Sequence, residues 1–182
     1  MSKNIGILIG SLRKDSFNRK IAENLVELFK RDYSYEFIDI ADLPLYNEDI
    51  DQDNPPASYV SYRDKLASFD AFLFFTPEYN RSMPAVLKNA LDVGSRPYGK
   101  SKWDGKPAGI ISVSPGAIGA FGANHHLRQC LTFLNMHPIQ QPEMYIGNVT
   151  QILDDNGKIN SEESLKLCKN FVQKFEEWIE KF

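Results

Sequence analysis

Five short apolar runs, at residues 4–9, 35–40, 71–76, 108–113 and 139–146, recur along the chain, and each is followed by a helical pattern. Segments such as AFLFF and AGIISV are apolar on both faces instead of alternating, as strands are when helices cover both sides of a parallel sheet. Five β-α units within 182 residues suit an open doubly wound sheet. A closed barrel needs eight units and about 250 residues. The expectation is an α/β protein with a five-stranded parallel sheet of order 2-1-3-4-5, helices on both faces, and a single domain over residues 1–182.

The helices follow from spacing. Phe17, Ile21, Leu25, Leu28 and Phe29 fall on one stripe, which predicts a first helix over 17–31 with a charged opposite face. A second is expected near 56–68, a third from Pro84 with Ser82 priming it, and a fourth over 121–135. Asn160 with Glu163 resembles a capping box, and Leu165, Cys168, Phe171, Val172, Phe175, Trp178, Ile179 and Phe182 keep helical spacing after it. Segments 49–58 and 93–107 read as surface loops.

Charge excludes some partners. With 21 basic and 24 acidic residues the net charge is -3, which gives no general pull toward nucleic acid or anionic lipid. The apolar stretch at 5–9 is soon interrupted by Gly10 and Arg13, and no run approaches the ~20 residues of a membrane span, so a cytoplasmic protein is expected, with neither nucleic acid nor membrane as partner. Cys130 and Cys168 belong to no CxxC and read as packing residues. His125, His126 and His137 lack the i, i+4 spacing of a helical zinc site, and no metal is expected. No GxSxG elbow occurs, neither cysteine lies in the first loop, and the strands end in Gly10 and Thr76 where a receiver domain would need aspartates.

Loops after strands 1, 3 and 4 should converge where the connections change direction. In the first, GSLRKDSFN, Ser11, Ser16 and Asn18 are neutral donors, Arg13 is a planar charged fork, and a helix starting near Phe17 directs free N–H groups back at the loop, which are the parts of an anion cradle. Neither GxGxxG nor GxxxxGK[ST] is present, so one terminal phosphate suits the loop better than a pyrophosphate. Equally, Ser16 or Asp15 caps the helix and nothing more. In the third loop, Pro77, Glu78, Tyr79 and Asn80 form a rigid polar turn that can present backbone groups and one aromatic wall to a flat heterocycle. In the fourth, SPGAIGAFG, Gly116, Gly119 and Gly122 permit close backbone approach.

Taken together, GSLRKDSFN, TPEYNRSMPAVLKNALD and GANHHLRQCL closely resemble the NADPH-dependent FMN reductase family, with its chromate and quinone reductases and azoreductases, over about residues 5–147. The resemblance implies a flavodoxin-like fold and bound FMN. It implies that Ser11, Arg13, Ser16 and Asn18, with the amide of Phe17, hold the FMN phosphate. Pro77, Glu78, Tyr79, Asn80, Arg81 and Ser82 would border the isoalloxazine through backbone groups and Tyr79, with Ser114, Gly116 and Gly119 on the other side. Family members are usually dimers or tetramers, in which the segment matching DLPLYNED (42–49) comes near the partner's flavin site, and Arg128 and Glu143 match positions that join subunits. Arg81 stands where many relatives have an aromatic or small residue, and Ala120 replaces a common glycine.

The implied activity is hydride transfer from NADPH or NADH to FMN, then electron transfer to a quinone, azo compound, metal oxyanion or flavin. The flavin carries the chemistry, so no catalytic acid or base is assigned. The alternatives are a flavodoxin-like electron carrier, which would be expected to be more acidic than this chain, and a flavin-binding regulatory protein.

Overall fold

The structure is a computed structural model and describes residues 3–182. Its strands are β1 (Lys3–Ile9), β2 (Tyr33–Ile38), β3 (Ala71–Thr76), β4 (Pro107–Val113), β5 (His137–Pro138) and β6 (Met144–Ile146). The helices are α1 (Phe17–Val26), α2 (Ala57–Ala67), α3 (Ala85–Gly94), α4 (Phe121–Phe133), α5 (Val149–Ile152) and α6 (Glu162–Ile179). All pairings are parallel, in the order β2-β1-β3-β4, with β5 and β6 both against β4.

The expected order and two-sided cover are therefore present, and the strand residues show how. Along β3 every residue is buried. Ala71, Leu73 and Phe75 join α1 and α6 in one core, while Phe72 and Phe74 join α2, α3 and α4 in the other.

Several boundaries differ from expectation. α1 stops at Val26, although Leu28 and Phe29 still pack on the core from the turn beyond it. The fifth strand is two pieces, because Pro138 and Pro142 bring no N–H to the ladder. α6 is capped by Ser161, whose hydroxyl accepts from the Ser164 amide at 3.2 Å, and not by Asn160, whose amide donates to Ile152. Segment 93–107 is not merely surface: Trp103 is wholly buried, its indole N–H donates to the Leu91 carbonyl at 3.0 Å, and Gly94 leaves room for its ring.

The long connection from β2 to α2 is fixed from beneath. Arg63 forks onto Asp51 at 2.7 and 2.6 Å with both side chains buried, and its Nε donates to the Val93 carbonyl. Asn89 accepts from the Tyr46 amide at 2.7 Å and donates to the carbonyls of Leu43 and Pro44. The Tyr59 hydroxyl donates to the Leu45 carbonyl. Removing one partner of a buried charge pair strands the other. Asp51→Ala is thus expected to cost about 3 kcal/mol or more in urea unfolding, well beyond an exposed Asp→Ala such as Asp64→Ala.

Candidate functional site

The first loop begins where β1 is still tied to β3: Gly10 donates its amide to the Phe75 carbonyl at 2.7 Å. A Cβ on Gly10 would lie 3.1 Å from Leu87 and 3.4 Å from Pro77, so the glycine lets this loop settle against the turn after β3. Ser16 is buried and caps α1, its hydroxyl accepting from the Arg19 amide at 3.3 Å. The amides of Phe17 and Asn18 have no acceptor among the described residues. Asn18 is buried with its carboxamide oxygen unpartnered. Arg13 is exposed and makes no ion pair among the described residues. Asp15 turns outward to Lys20, whose hydrogen bond and charge hold the carboxyl below its ordinary range. Ser16, not Asp15, is the cap, and it leaves the Phe17 and Asn18 amides free at the helix start, with the exposed Arg13 four residues before Phe17.

The third loop is a two-residue reversal. Tyr79 and Ser82 exchange amide–carbonyl bonds at 2.9 and 3.0 Å, with Asn80 at φ 51° and Arg81 at φ 66° between them. Two left-handed central residues make a type I′ turn, in which Asn is at home and Arg is strained. Tyr79 is exposed. The Glu78 carboxylate accepts from the Ala123 amide of α4 at 3.1 Å and from Arg81 at 3.2 Å. Ser82 does not prime α3, whose cap Pro84 brings no side-chain bond; its hydroxyl meets His126 Nδ1 at 3.0 Å.

The fourth loop is braced on the segment after β6. Ser114 donates its amide to Ile146, and the Gly116 carbonyl accepts from Gly119 and Asn148. Gly116 is exposed, whereas Gly119, at φ 64°, is buried with its carbonyl accepting from the Ser112 hydroxyl at 2.7 Å. Asn124 supports the same hydroxyl from α4. Ala120 holds φ 59°, a left-handed backbone conformation that glycine adopts without strain. Phe121, His125 and Tyr145 cluster beside this loop, with His125 Nε2 and the Tyr145 hydroxyl 3.1 Å apart. Burial, with Glu143 nearby, pushes the Tyr145 hydroxyl up to about 12.

From Ser82 and His126 at the third loop, a groove of about 750 Å³ runs between α3 and α4, lined further by Met83, Leu91, Cys130, Phe133 and Leu134. Cys168 is buried, which pushes its thiol up to about 11, and Cys130 is half-buried and also raised by burial. Neither has the exposed, lowered-pKa setting of a nucleophile. Arg128 and Glu143 face one another within the chain at 3.9 Å.

Sequence reading passed over Asn89, the Asn of LKNALD, and Gly147, where a Cβ would overlap the Ala117 carbonyl. Nothing local marks either one; both matter through contacts distant in sequence.

An anion cradle at the end of β1, flanked by two backbone-lined loops at the ends of β3 and β4, is the arrangement of a flavodoxin-like flavin protein. The chain belongs to the NADPH-dependent FMN reductase family, whose profile matches residues 3–151. It is 50% identical over 175 residues to a quinone reductase of Pseudomonas putida, covering 96% of this chain and 94% of that one. A 2-hydroxy-1,4-benzoquinone reductase of a Burkholderia species is 46% identical over 179 residues, with 98% and 97% covered. The solved structure of a flavoenzyme NAD(P)H:(acceptor) oxidoreductase from Paracoccus denitrificans superposes with a TM-score of 0.92 at 40% identity, covering 98% of both chains. The protein is an NAD(P)H-dependent oxidoreductase of the FMN reductase type.

FMN fits the residues present: its phosphate matches the free Phe17 and Asn18 amides and Arg13, and a ribityl hydroxyl would give the buried Asn18 oxygen a donor. The turn geometry gives a separate test. Arg81→Gly and Arg81→Ala both remove the side chain, but only glycine is unstrained at φ 66°. The glycine variant should be the more stable by about 1 kcal/mol in thermal unfolding.

Proposed function

We propose that residues 1–182 form one FMN-binding domain that reduces quinone-type acceptors at the expense of NADPH or NADH, in the cytoplasm, as a homo-oligomer. The observation that carries the reading is the first loop, which holds within six residues two unpartnered helix amides, an arginine without an ion pair among the described residues and an unpartnered buried Asn18 oxygen. The loop starts beside the turn after β3, where a Cβ on Gly10 would lie 3.4 Å from Pro77.

When bound, FMN would supply the redox chemistry, a two-electron, proton-coupled exchange between nicotinamide and acceptor. The chain's residues hold and orient. Ser11, Arg13 and the Phe17 and Asn18 amides bind the phosphate, with Ser16 shaping the loop as cap. The backbone of Pro77, Glu78, Asn80, Arg81 and Ser82, with the Tyr79 ring, borders the flat ring system. Ser114 and Gly116 form the facing wall, and Gly119 braces it from behind. Arg81, three-quarters exposed and held at one nitrogen only, is free to meet an anionic group on donor or acceptor. The similarity to quinone and hydroxybenzoquinone reductases supports quinones as acceptors.

Anaerobic reconstitution with FMN followed by NADPH or NADH tests the activity. Rapid loss of the long-wavelength flavin band on nucleotide addition, and its return on adding benzoquinone, is the expected result. A flavin that binds but resists both nucleotides would mark an electron carrier instead. Arg13→Ala should weaken FMN affinity by about 1 to 3 kcal/mol on fluorescence titration, the usual cost of a charge-assisted contact; unchanged affinity would remove Arg13 from the cradle.

For assembly, the α3–α4 groove carries Phe133 at 89% exposure, a large ring with no cover in the monomer. Phe133→Glu should lower the mass found by light scattering from an oligomer to a monomer; an unchanged mass would place the subunit contact elsewhere.

A further inference from the structure

We infer that Glu78 is a positioning residue: its carboxylate caps α4 from outside that helix and so fixes the spacing between the two loops that border the flavin cleft. The inference rests on the flavin reading for what the cleft holds, while the clamp itself stands on contacts within the chain.

A helix begins with amides that need acceptors, and the residue at its cap ordinarily supplies one from its side chain. α4 has thirteen residues, but its cap position is Ala120, which has no side-chain acceptor and brings no such bond. The acceptor comes from another loop. Glu78, forty-five positions earlier, places Oε2 at 3.1 Å from the Ala123 amide. A carboxylate there is favoured twice, by the hydrogen bond and by the positive end of the helix dipole. Its other oxygen holds Arg81 at 3.2 Å, and the side chain is only 15% exposed.

Gly122 belongs to the same device. A Cβ on it would lie 2.9 Å from Glu78 Oε2 and 3.0 Å from the Arg81 carbonyl oxygen. Alanine would favour a helix at that position, yet only glycine leaves the lane along which the carboxylate reaches Ala123.

The two elements so joined carry opposite walls of the cleft. Residues 77–82 form one, and 114–120, leading directly into α4, form the other. The exposed Ser82–His126 contact is the only other polar side-chain tie between this turn and α4 among the described residues. Water competes well for an exposed pair of that kind, so the partly buried Glu78 bond sets the spacing.

Wild type, Glu78→Ala, Glu78→Gln, Gly122→Ala and the Glu78→Ala/Gly122→Ala double variant are compared by thermal unfolding of the apoprotein and by fluorescence titration with FMN. Glu78→Ala and Gly122→Ala should each lower the apoprotein midpoint and weaken FMN binding by about tenfold, the equivalent of one well-made hydrogen bond. Glu78→Gln should recover most of both, because its amide oxygen still accepts from Ala123. The double variant should bind FMN no worse than Glu78→Ala, since both changes break the same contact. Three results would each overturn the clamp. One is a Glu78→Ala protein equal to wild type in both measurements. Another is full additivity in the double variant. The last is a Glu78→Gln protein with wild-type unfolding and alanine-like FMN binding, which would mean the charge acts on the ligand directly. If the wild type itself binds no FMN, the flavin reading falls, and the unfolding measurements still decide for or against the clamp.

Discussion

Gly10 is the first residue past β1, and its amide is still bonded to the Phe75 carbonyl of β3. β1 and β3 are neighbours in the sheet although β2 lies between them in sequence. The chain leaves β1 over one face, through α1, and reaches β3 from the other, through α2. No helix can cover the ends of both strands at that reversal, so a crevice opens above them. The start of α1 and the turn after β3 are placed on its two sides by the same pairing that builds the core. The first and third loops of the site depend on that one register, and the fourth is placed beside them by the pairing of β4 with β3 and β6.

The sheet was legible in sequence because its strands obey a strong rule. AFLFF and AGIISV contain no polar face to turn to water, and two-sided burial under helices follows. Element ends were less legible, since an apolar stripe reports what touches the core and not what is helical. Leu28 and Phe29 touch it from a turn, which carried the expected end of α1 too far. Trp103 illustrates the converse: an indole within a stretch rich in Gly, Lys and Ser looks exposed, yet it fills the space that Gly94 leaves and anchors the loop to α3.

For the site, residues that act where they stand in sequence could be read directly. Ser16, Phe17 and Asn18 form a helix start, and a helix start has known donors. Residues that act across the fold could not. Asn89 sits in the middle of a helix with nothing nearby to suggest that it carries the loop at 43–46, and Gly122 looks like one more loop glycine until Glu78 is placed beside it. The resemblance to flavin reductases singled out TPEYN and LKNA as units, but it did not say which of their polar groups face a ligand and which face the protein.

That division is where the structure adds most. The conspicuous polar side chains of the motifs fall into two sets. Ser16, Glu78, Asn89, Ser112 and Asn124 are engaged with the backbone or with one another. The Phe17 and Asn18 amides and Arg13 are left without partners, and Tyr79 stands exposed. The first set removes conformational freedom before any ligand arrives, which lowers the entropic cost of holding a rigid, flat molecule between loops. Loops of seven or eight residues between strand and helix would otherwise sample many arrangements, and backbone donors in them would be poor binding groups. Three of these struts, Asn89, Ser112 and Asn124, come from α3, β4 and α4, and Ser16 and Glu78 tie their own loops to α1 and α4, so the loop apices are free to vary. Arg81, held by Glu78 at one guanidinium nitrogen and strained at its own φ, can change with acceptor chemistry without disturbing the Glu78–Ala123 bond that holds the frame.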